Sequence, residues 1–362
     1  MSLDIALKYL LWVCVGGLLV SKLSTRRRIK VLGNKRERWS IPAVLILIAP
    51  LIYWCANRSL WLGDTGAYAN YFNNAPTSLS QVVSYARSQR RDQFFFGFTA
   101  VIKCLITHDY RIYFAIVAAI QLLCVGLIYR KYSRSFWISL FLLVVSTDYI
   151  QWMFNGTRQF LAAVITFTAL PFVVKKKYIP AIGVILLGSL MHRSALLLIP
   201  VIFIVQGKAW NKKSLLIMLG TLMVVVFVNE FTSFLDNALQ ETQYENVVSD
   251  WTGSNDDGTN VLRVLVYAVP TIISLIYKSA FDEADNPLIN ICVNMSIIST
   301  AVYVVSMFTS GIFIGRLPIY MSLYNYILLP WELRHCFPKT SRLFMTVAMC
   351  IGYTLFYCYS YM

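Results

Sequence analysis

Residues 175–213 read KKKYIPAIGVILLGSLMHRSALLLIPVIFIVQGKAWNKK. Three lysines open the stretch, and Lys208, Lys212 and Lys213 close it. Between them lie two apolar runs, 178–191 and 194–206, separated only by the pair His192-Arg193. Cytoplasmic loops of membrane proteins are rich in Lys and Arg. With both lysine clusters in the cytoplasm, the chain crosses outward and returns between them, and His192-Arg193 is the outer tip of a helical hairpin. Each run is shorter than the roughly 20 residues of a full crossing, which predicts short, tilted or re-entrant helices. The fold class follows: an all-α, polytopic integral membrane protein.

The rest of the chain agrees. Of its 362 residues, 58% are hydrophobic and only 14% charged, against about 25% charged in a soluble chain. The formal charge of +15 lies in short clusters between apolar runs, a pattern of membrane loops that excludes a nucleic-acid partner. Runs long enough to cross fall near 3–20, 41–57, 112–129, 136–152, 158–174, 214–230, 261–277, 288–308, 314–330 and 343–360, with a shorter one at 94–107 interrupted by Lys103. The first run has its basic flank after it, the reverse of a signal peptide, and is expected to remain as a membrane helix. The basic connector 21–40 and the clusters Arg130-Lys131-Arg134, Lys175-Lys176-Lys177, Lys208-Lys212-Lys213 and Arg334-Lys339-Arg342 all face the cytoplasm if 178–206 crosses twice and 94–107 dips in and returns. That arithmetic predicts about twelve crossings in a single transmembrane domain, 1–362, with both termini outside. Loop 231–260, with six acidic residues and no Lys or Arg, then lies outside, as does segment 58–111. The eight cysteines include no CxxC pair and sit mostly in apolar stretches, which reads as small buried hydrophobes.

No cytoplasmic loop is large enough for a nucleotide-binding domain, and neither GxxxxGK[ST] nor a Gly-rich nucleotide fingerprint occurs. Energy for any chemistry therefore arrives with the substrate. Ten cations fall on the outer side or at outer helix ends: Arg58, Arg87, Arg90, Arg91, Lys103, Arg111, Arg158, Arg193, Arg263 and Arg316. Nine are arginine, whose planar fork fits phosphate oxygens and stays charged when partly desolvated. Intramembrane and juxtamembrane charges of this kind mark function. The outer carboxylates Asp64, Asp92, Asp109 and Asp148 offer a structural alternative, as neutralising partners for Arg91, Arg111 and Arg263. Arg158, Arg193 and Arg316, each at a helix mouth, are the leading anion-binding candidates.

Two further features carry chemistry. Segment 61–72, WLGDTGAYANYF, opens the first outer segment with Asp64 and Tyr68 at i,i+4. It reads either as a helix capped by Asp64 with interfacial aromatics, or as a carboxylate beside sugar-stacking rings. Of three histidines, His335 lies in a basic loop and His108 in an outer turn, whereas His192 stands at the hairpin tip next to Arg193. No zinc triad is expected. His192 is a candidate general base or hydrogen-bond donor, with a simple polar tip as the alternative.

The ordered motifs resemble one family. Residues 154–162, FNGTRQFLA, are similar to the G-x-R-Q-x-x-A helix start of the EpsG/Wzy-type polysaccharide polymerases, where a lysine cluster and an H-x-S-A-L hairpin follow. Here those are Lys175-Lys176-Lys177 and His192-Arg193-Ser194-Ala195-Leu196. Asp64 with Tyr68 resembles the family's D-x-x-x-Y motif, Lys131-Tyr132-Ser133 its KYS turn, and Arg316 with Tyr320 its late R-x-x-x-Y helix. The resemblance spans roughly residues 60–330; Thr157 departs from it, standing where an aliphatic residue is usual.

What the resemblance implies is a GT-C-like membrane glycosyltransferase of the bacterial inner membrane, with its active site facing the periplasm. It would polymerise undecaprenyl-pyrophosphate-linked repeat units into O-antigen, capsule or exopolysaccharide without cofactor or metal, with a chain-length regulator as a partner. His192, Asp64 and Arg158 are the implied catalytic residues. Arg158, Gln159, Arg193, Arg316, Tyr320, Tyr68, Arg90 and Arg91 are the implied substrate contacts. The alternatives are an O-antigen ligase and a flippase for the lipid-linked oligosaccharide.

Overall fold

The computed structural model describes residues 3–23, 26–32, 34–239 and 258–361 and is nearly all-α. Backbone packing divides the chain into two compact units, Met1–Ile199 with Phe344–Met362, and Pro200–Leu343.

The first unit opens with α1 (Leu3–Leu11) and α2 (Gly17–Leu23), joined by a π-helical turn at Trp12–Gly16. The turn admits two indoles: Trp12 Nε1 donates to Leu47 O (2.9 Å), and Trp137 Nε1 to Val13 O (2.6 Å). The connector 21–40, expected as a loop, instead holds an antiparallel hairpin of β1 (Arg26–Val31) and β2 (Asn34–Trp39). Val31 and Trp39 turn inward while Arg26, Arg27, Arg28 and Lys30 stay exposed. An extended strand suits the β-branched and aromatic residues and avoids stacking like charges at i,i+4. The fold is therefore not purely helical.

Next come α3 (Ile41–Ala56), α4 (Thr65–Asn74), α5 (Val82–Ser88), α6 (Gln93–Leu105) and α7 (Tyr110–Tyr132). Ser40 caps α3, with Pro42 in its first turn. α3 runs closely along α7: a Cβ on Gly126 would lie 2.6 Å from Ile48 Cδ1. The expected dip and return over 94–107 is instead the single helix α6. Lys103, which interrupts that run, is buried and donates to Asn73 O (2.6 Å) and Ala75 O (2.7 Å). A cation on terminal carbonyls is a standard helix C-terminal partner, so Lys103 holds α6 against the end of α4.

The run 136–152 is broken into α8 (Phe136–Val145) and α9 (Asp148–Phe154), with Thr147 at φ +74 between them. α10 (Thr157–Phe167) and α11 (Leu170–Val174) together make one apolar span ending at the three lysines. α12 (Tyr178–Ser189) folds back along α10, where a Cβ on Gly188 would lie 2.5 Å from Thr166 Cγ2 and 3.0 Å from Ala162 O. It leads to the 3-10 turn Arg193–Leu197 and α13 (Leu198–Ile204). The C-terminal helix (Arg342–Tyr359) returns to the first unit, with Tyr357 Oη donating to Ala6 O at 2.8 Å.

The unit has two chemically different ends. At one, Arg130 Nε donates to Trp39 O (2.6 Å) and Arg38 Nε to Lys131 O (3.0 Å), which ties the basic hairpin to the basic end of α7. Burial, then Arg36, Arg134 and Arg130, push the Arg38 pKa down to about 10, as expected where cations crowd. The 23 residues of α7 extend about 35 Å, so its start at Asp109 lies a bilayer's hydrocarbon thickness away from that basic end.

The second unit holds α14 (Lys212–Val226) and α15 (Val228–Leu239), bent by 97° to each other, then α16 (Val261–Ile276) and α17 (Lys278–Ala284), bent by 70°. α18 (Pro287–Met307) packs on α16 through hydroxyls: Thr271 Oγ1 lies 2.7 Å from Ser296 Oγ and 2.8 Å from Thr300 Oγ1. Loop 231–260 thus begins as helix, through Leu239; its remaining stretch, 240–257, lies outside the described residues. The run 314–330, expected as one crossing, is a 3-10 turn (Ile314–Arg316), α19 (Ile319–Ser322) and the start of α20 (Asn325–His335). Pro318 has no N–H to donate, which helps to explain the break.

Among the described residues, five helices are long and apolar enough to cross a membrane, or seven if each bent pair is one span. The other expected crossings fall on shorter helices such as Ile41–Ala56, Phe136–Val145, Tyr178–Ser189 and Arg193–Ile204.

Candidate functional site

The site grows from the turn before α4. Gly63 adopts φ +57, and the Asp64 N–H donates to Phe154 O at 2.9 Å. A Cβ on Gly63 would lie 2.6 Å from Asn155 Oδ1 and 2.8 Å from Phe154 O. Glycine is needed here twice over, for the left-handed backbone and for the close approach. Through this contact the segment that follows α3 seats on the turn that starts α10. Gly63→Ala is expected to destabilise the protein by about 1–3 kcal/mol, the scale of a strained φ plus a clash. Thermal unfolding of the detergent-solubilised protein checks this; an unchanged Tm would mean the turn can shift freely.

Arg158, in the first turn of α10, is the hub. Its Nη1 donates to Asp92 Oδ2 at 3.0 Å, an ion pair whose side chains are 27% and 4% exposed. The guanidinium also acts electrostatically on the Tyr68 hydroxyl and lies 5.7 Å from the Phe96 ring centre. Burial pushes the Tyr68 hydroxyl pKa up while Arg158 pulls it partly back, so the phenol stays protonated and able to donate onward. One arginine thus joins α4, α6 and α10. Asp92 adopts φ +48 at the start of α6, and its Oδ1 is buried without a hydrogen-bond partner. A backbone strained by on the order of 1–2 kcal/mol persists because the carboxylate is anchored on Arg158.

Asp92, one of the four carboxylates that the sequence offers to Arg91, Arg111 and Arg263, pairs with Arg158, 66 positions away. Asp109 likewise accepts from the Arg111 backbone N–H (2.8 Å) as the cap of α7. Arg90 and Arg91 are exposed in the turn just before Asp92.

Asp64 occupies the N-cap position of α4, but its side chain makes no capping bond and is exposed. The capping reading fails, because at φ −81, ψ 10 the residue lacks the extended backbone an Asp cap adopts. An exposed carboxylate therefore stands one helical turn from Tyr68, whose hydroxyl it influences. Gln159 is buried, and Gln121 Nε2 donates to Thr157 O (3.2 Å), fixing the start of α10.

His192 caps the 3-10 turn: its Nδ1 accepts from the Ser194 N–H (3.4 Å) and lies 2.7 Å from Ser194 Oγ. With Nδ1 engaged as acceptor, the neutral ring carries its proton on Nε2. The turn packs against α10. The Gly188–Ala162 contact and a rise of ~1.5 Å per residue put His192 near the axial level of Arg158. Arg193 is exposed beside it. Arg316, half-buried, and the buried Tyr320 belong to the second unit. There, too, is Glu332 of α20, which no motif or spacing marks out in sequence: it is fully buried, with neither carboxylate oxygen hydrogen-bonded.

The family model for the EpsG family matches residues 43–362. The chain belongs to the EpsG family. The match takes in every motif that carries the resemblance and extends it to the C-terminus, and it points to a polysaccharide-polymerase-like function in the membrane. No curated protein and no solved structure matches this EpsG-family chain.

Proposed function

We propose that this EpsG-family protein polymerises undecaprenyl-pyrophosphate-linked repeat units into O-antigen or a related surface polysaccharide at the periplasmic face of the inner membrane. The observation that carries the reading is the cluster of Asp64, Tyr68, Asp92 and Arg158. It sits at the end of the first unit opposite the basic hairpin, the end expected to face outward under the positive-inside rule. About twelve crossings in one transmembrane domain, several made by short helices, complete the proposed topology, and its GT-C-like relation comes from the family resemblance.

In this reading a hydroxyl of the acceptor saccharide attacks the anomeric carbon of the donor glycan. The bond from that carbon to the pyrophosphate oxygen breaks, and undecaprenyl pyrophosphate leaves. The hydroxyl proton passes to Asp64, the exposed carboxylate, while His192 donates from Nε2. Charge on the leaving group is met by Arg158 and Arg193, with Gln159, Arg90 and Arg91 nearby in sequence and Tyr68 as a ring and hydroxyl contact; Arg316 and Tyr320, in the second unit, are proposed separately as substrate contacts. A chain-length regulator is a proposed protein partner.

Cysteine scanning with an impermeant thiol reagent should label position 192 from outside and positions in 21–40 only from within; outside labelling of 21–40 would overturn the orientation. The function is tested by deletion. Single repeats capping lipid A are expected when the chain is lost, whereas no surface glycan at all would indicate a flippase or ligase.

A further inference from the structure

Arg58 lies just past the end of α3, in a setting unlike that of Arg158. It is 9% exposed, and its guanidinium carbon lies 4.1 Å from the Phe114 ring centre and 5.0 Å from that of Phe154. Its acceptors are all neutral: Nε donates to Thr65 Oγ1 (2.8 Å), and Nη1 to Cys55 O and Cys55 Sγ (both 2.9 Å). Nη2 is buried with no partner. A buried guanidinium without a counter-ion is costly to keep.

The residue lines a cavity of about 420 Å³ shared with Asn57, Ser59, Trp61, Tyr110 and Arg111. Arg111 is exposed, and among the described residues neither arginine forms an ion pair. Trp61, 96% exposed, adds an uncovered ring. Two arginines among the lining of one cavity suit a dianion better than a single carboxylate. An exposed indole in the turn that follows an apolar helix belongs at the membrane–water boundary, where the headgroup of a prenyl diphosphate lies.

We propose that this pocket binds the diphosphate headgroup of a lipid-linked saccharide through Arg58 and Arg111, with Trp61 stacking on the adjoining sugar. The proposal deepens the polymerase reading and rests on it: two lipid-linked saccharides meet in that reaction, one diphosphate leaves, and the other stays. Two diphosphates need two cationic seats. Arg58 and Arg111, which form no ion pair among the described residues, supply the second.

The test is direct binding to the purified full-length protein in detergent, with undecaprenyl diphosphate and inorganic pyrophosphate as separate probes. Arg111→Gln is expected to weaken the lipid diphosphate about tenfold, the scale of one charge-assisted contact, with an unchanged Tm because its side chain is exposed. Arg58→Gln, checked by melting, should do the same or more. Wild-type affinity for both probes in Arg111→Gln would overturn the pocket, whatever Arg58→Gln does. Equal affinity of the wild type for lipid diphosphate and inorganic pyrophosphate would overturn the lipid assignment. Lost binding in Arg111→Gln with no polymerisation by the wild type would uphold the pocket while removing the polymerase reading. Polymerisation by the wild type with unaltered binding in Arg111→Gln would do the reverse.

Discussion

Asp64→Asn is expected to lower polymerisation by at least about 10²-fold, the usual contribution of a positioned general base, while insertion and Tm stay near wild type. The side chain is exposed and makes no capping bond, so an isosteric amide removes basicity and almost nothing else. His192→Ala should be milder. Its Nδ1 is committed to the 3-10 turn, and the loss there is of a donor and a cap. Rates of glycan extension for the two variants decide the assignment. Near-normal polymer from Asp64→Asn with a large loss from His192→Ala would move the base to the imidazole.

The second large effect concerns the Asp92–Arg158 pair. Removing one partner of a buried ion pair typically costs about 3–5 kcal/mol, because a desolvated charge is left behind. Asp92→Asn isolates that term, since asparagine tolerates the left-handed backbone at φ +48 as well as aspartate does. A large drop in Tm is expected, together with loss of polymerisation as α4, α6 and α10 come apart. Arg158→Lys should keep part of the ion pair but fail in polymerisation, since a point charge cannot serve Asp92 and Tyr68 together as a planar fork does. Replacing both partners by apolar residues of similar size should cost less stability than either single change. Strictly additive losses would show that the two side chains are not energetically coupled.

The class of the fold was legible because burial in lipid imposes long apolar runs and segregates lysine and arginine between loops. The hairpin tip at His192-Arg193, the lysine-flanked span of α10 and α11, and the proximity of the connector 21–40 to Arg130–Arg134 follow from that patterning alone. Breaks inside apolar runs did not. Hydropathy averages over Ser146-Thr147, Phe227 and Pro318, where local backbone geometry turns the chain without changing its polarity. The β-hairpin was hidden for a related reason: eight cations dominate residues 21–40, and the few inward residues, Val31 and Trp39 among them, give only a faint two-residue period.

At the site, residue types were readable but partners were not. Asp64, Tyr68, Arg158 and His192 were singled out from spacing and family motifs. Asp92 has Arg90 and Arg91 beside it in sequence, whereas its partner lies 66 residues on. Arg58, held between two phenylalanine rings, forms no ion pair among the described residues. A tertiary pairing of this kind leaves no periodic trace in a single sequence.

The most direct test of the polymerase reading is reconstitution of the full-length protein in liposomes with one undecaprenyl-pyrophosphate-linked repeat unit, supplied as both donor and acceptor without nucleotide sugar or ATP. The predicted result is a ladder of glycans spaced by one repeat, with one undecaprenyl pyrophosphate released per linkage and no ladder from Asp64→Asn. Lipid-linked repeats that stay single while moving intact from one leaflet to the other would contradict it.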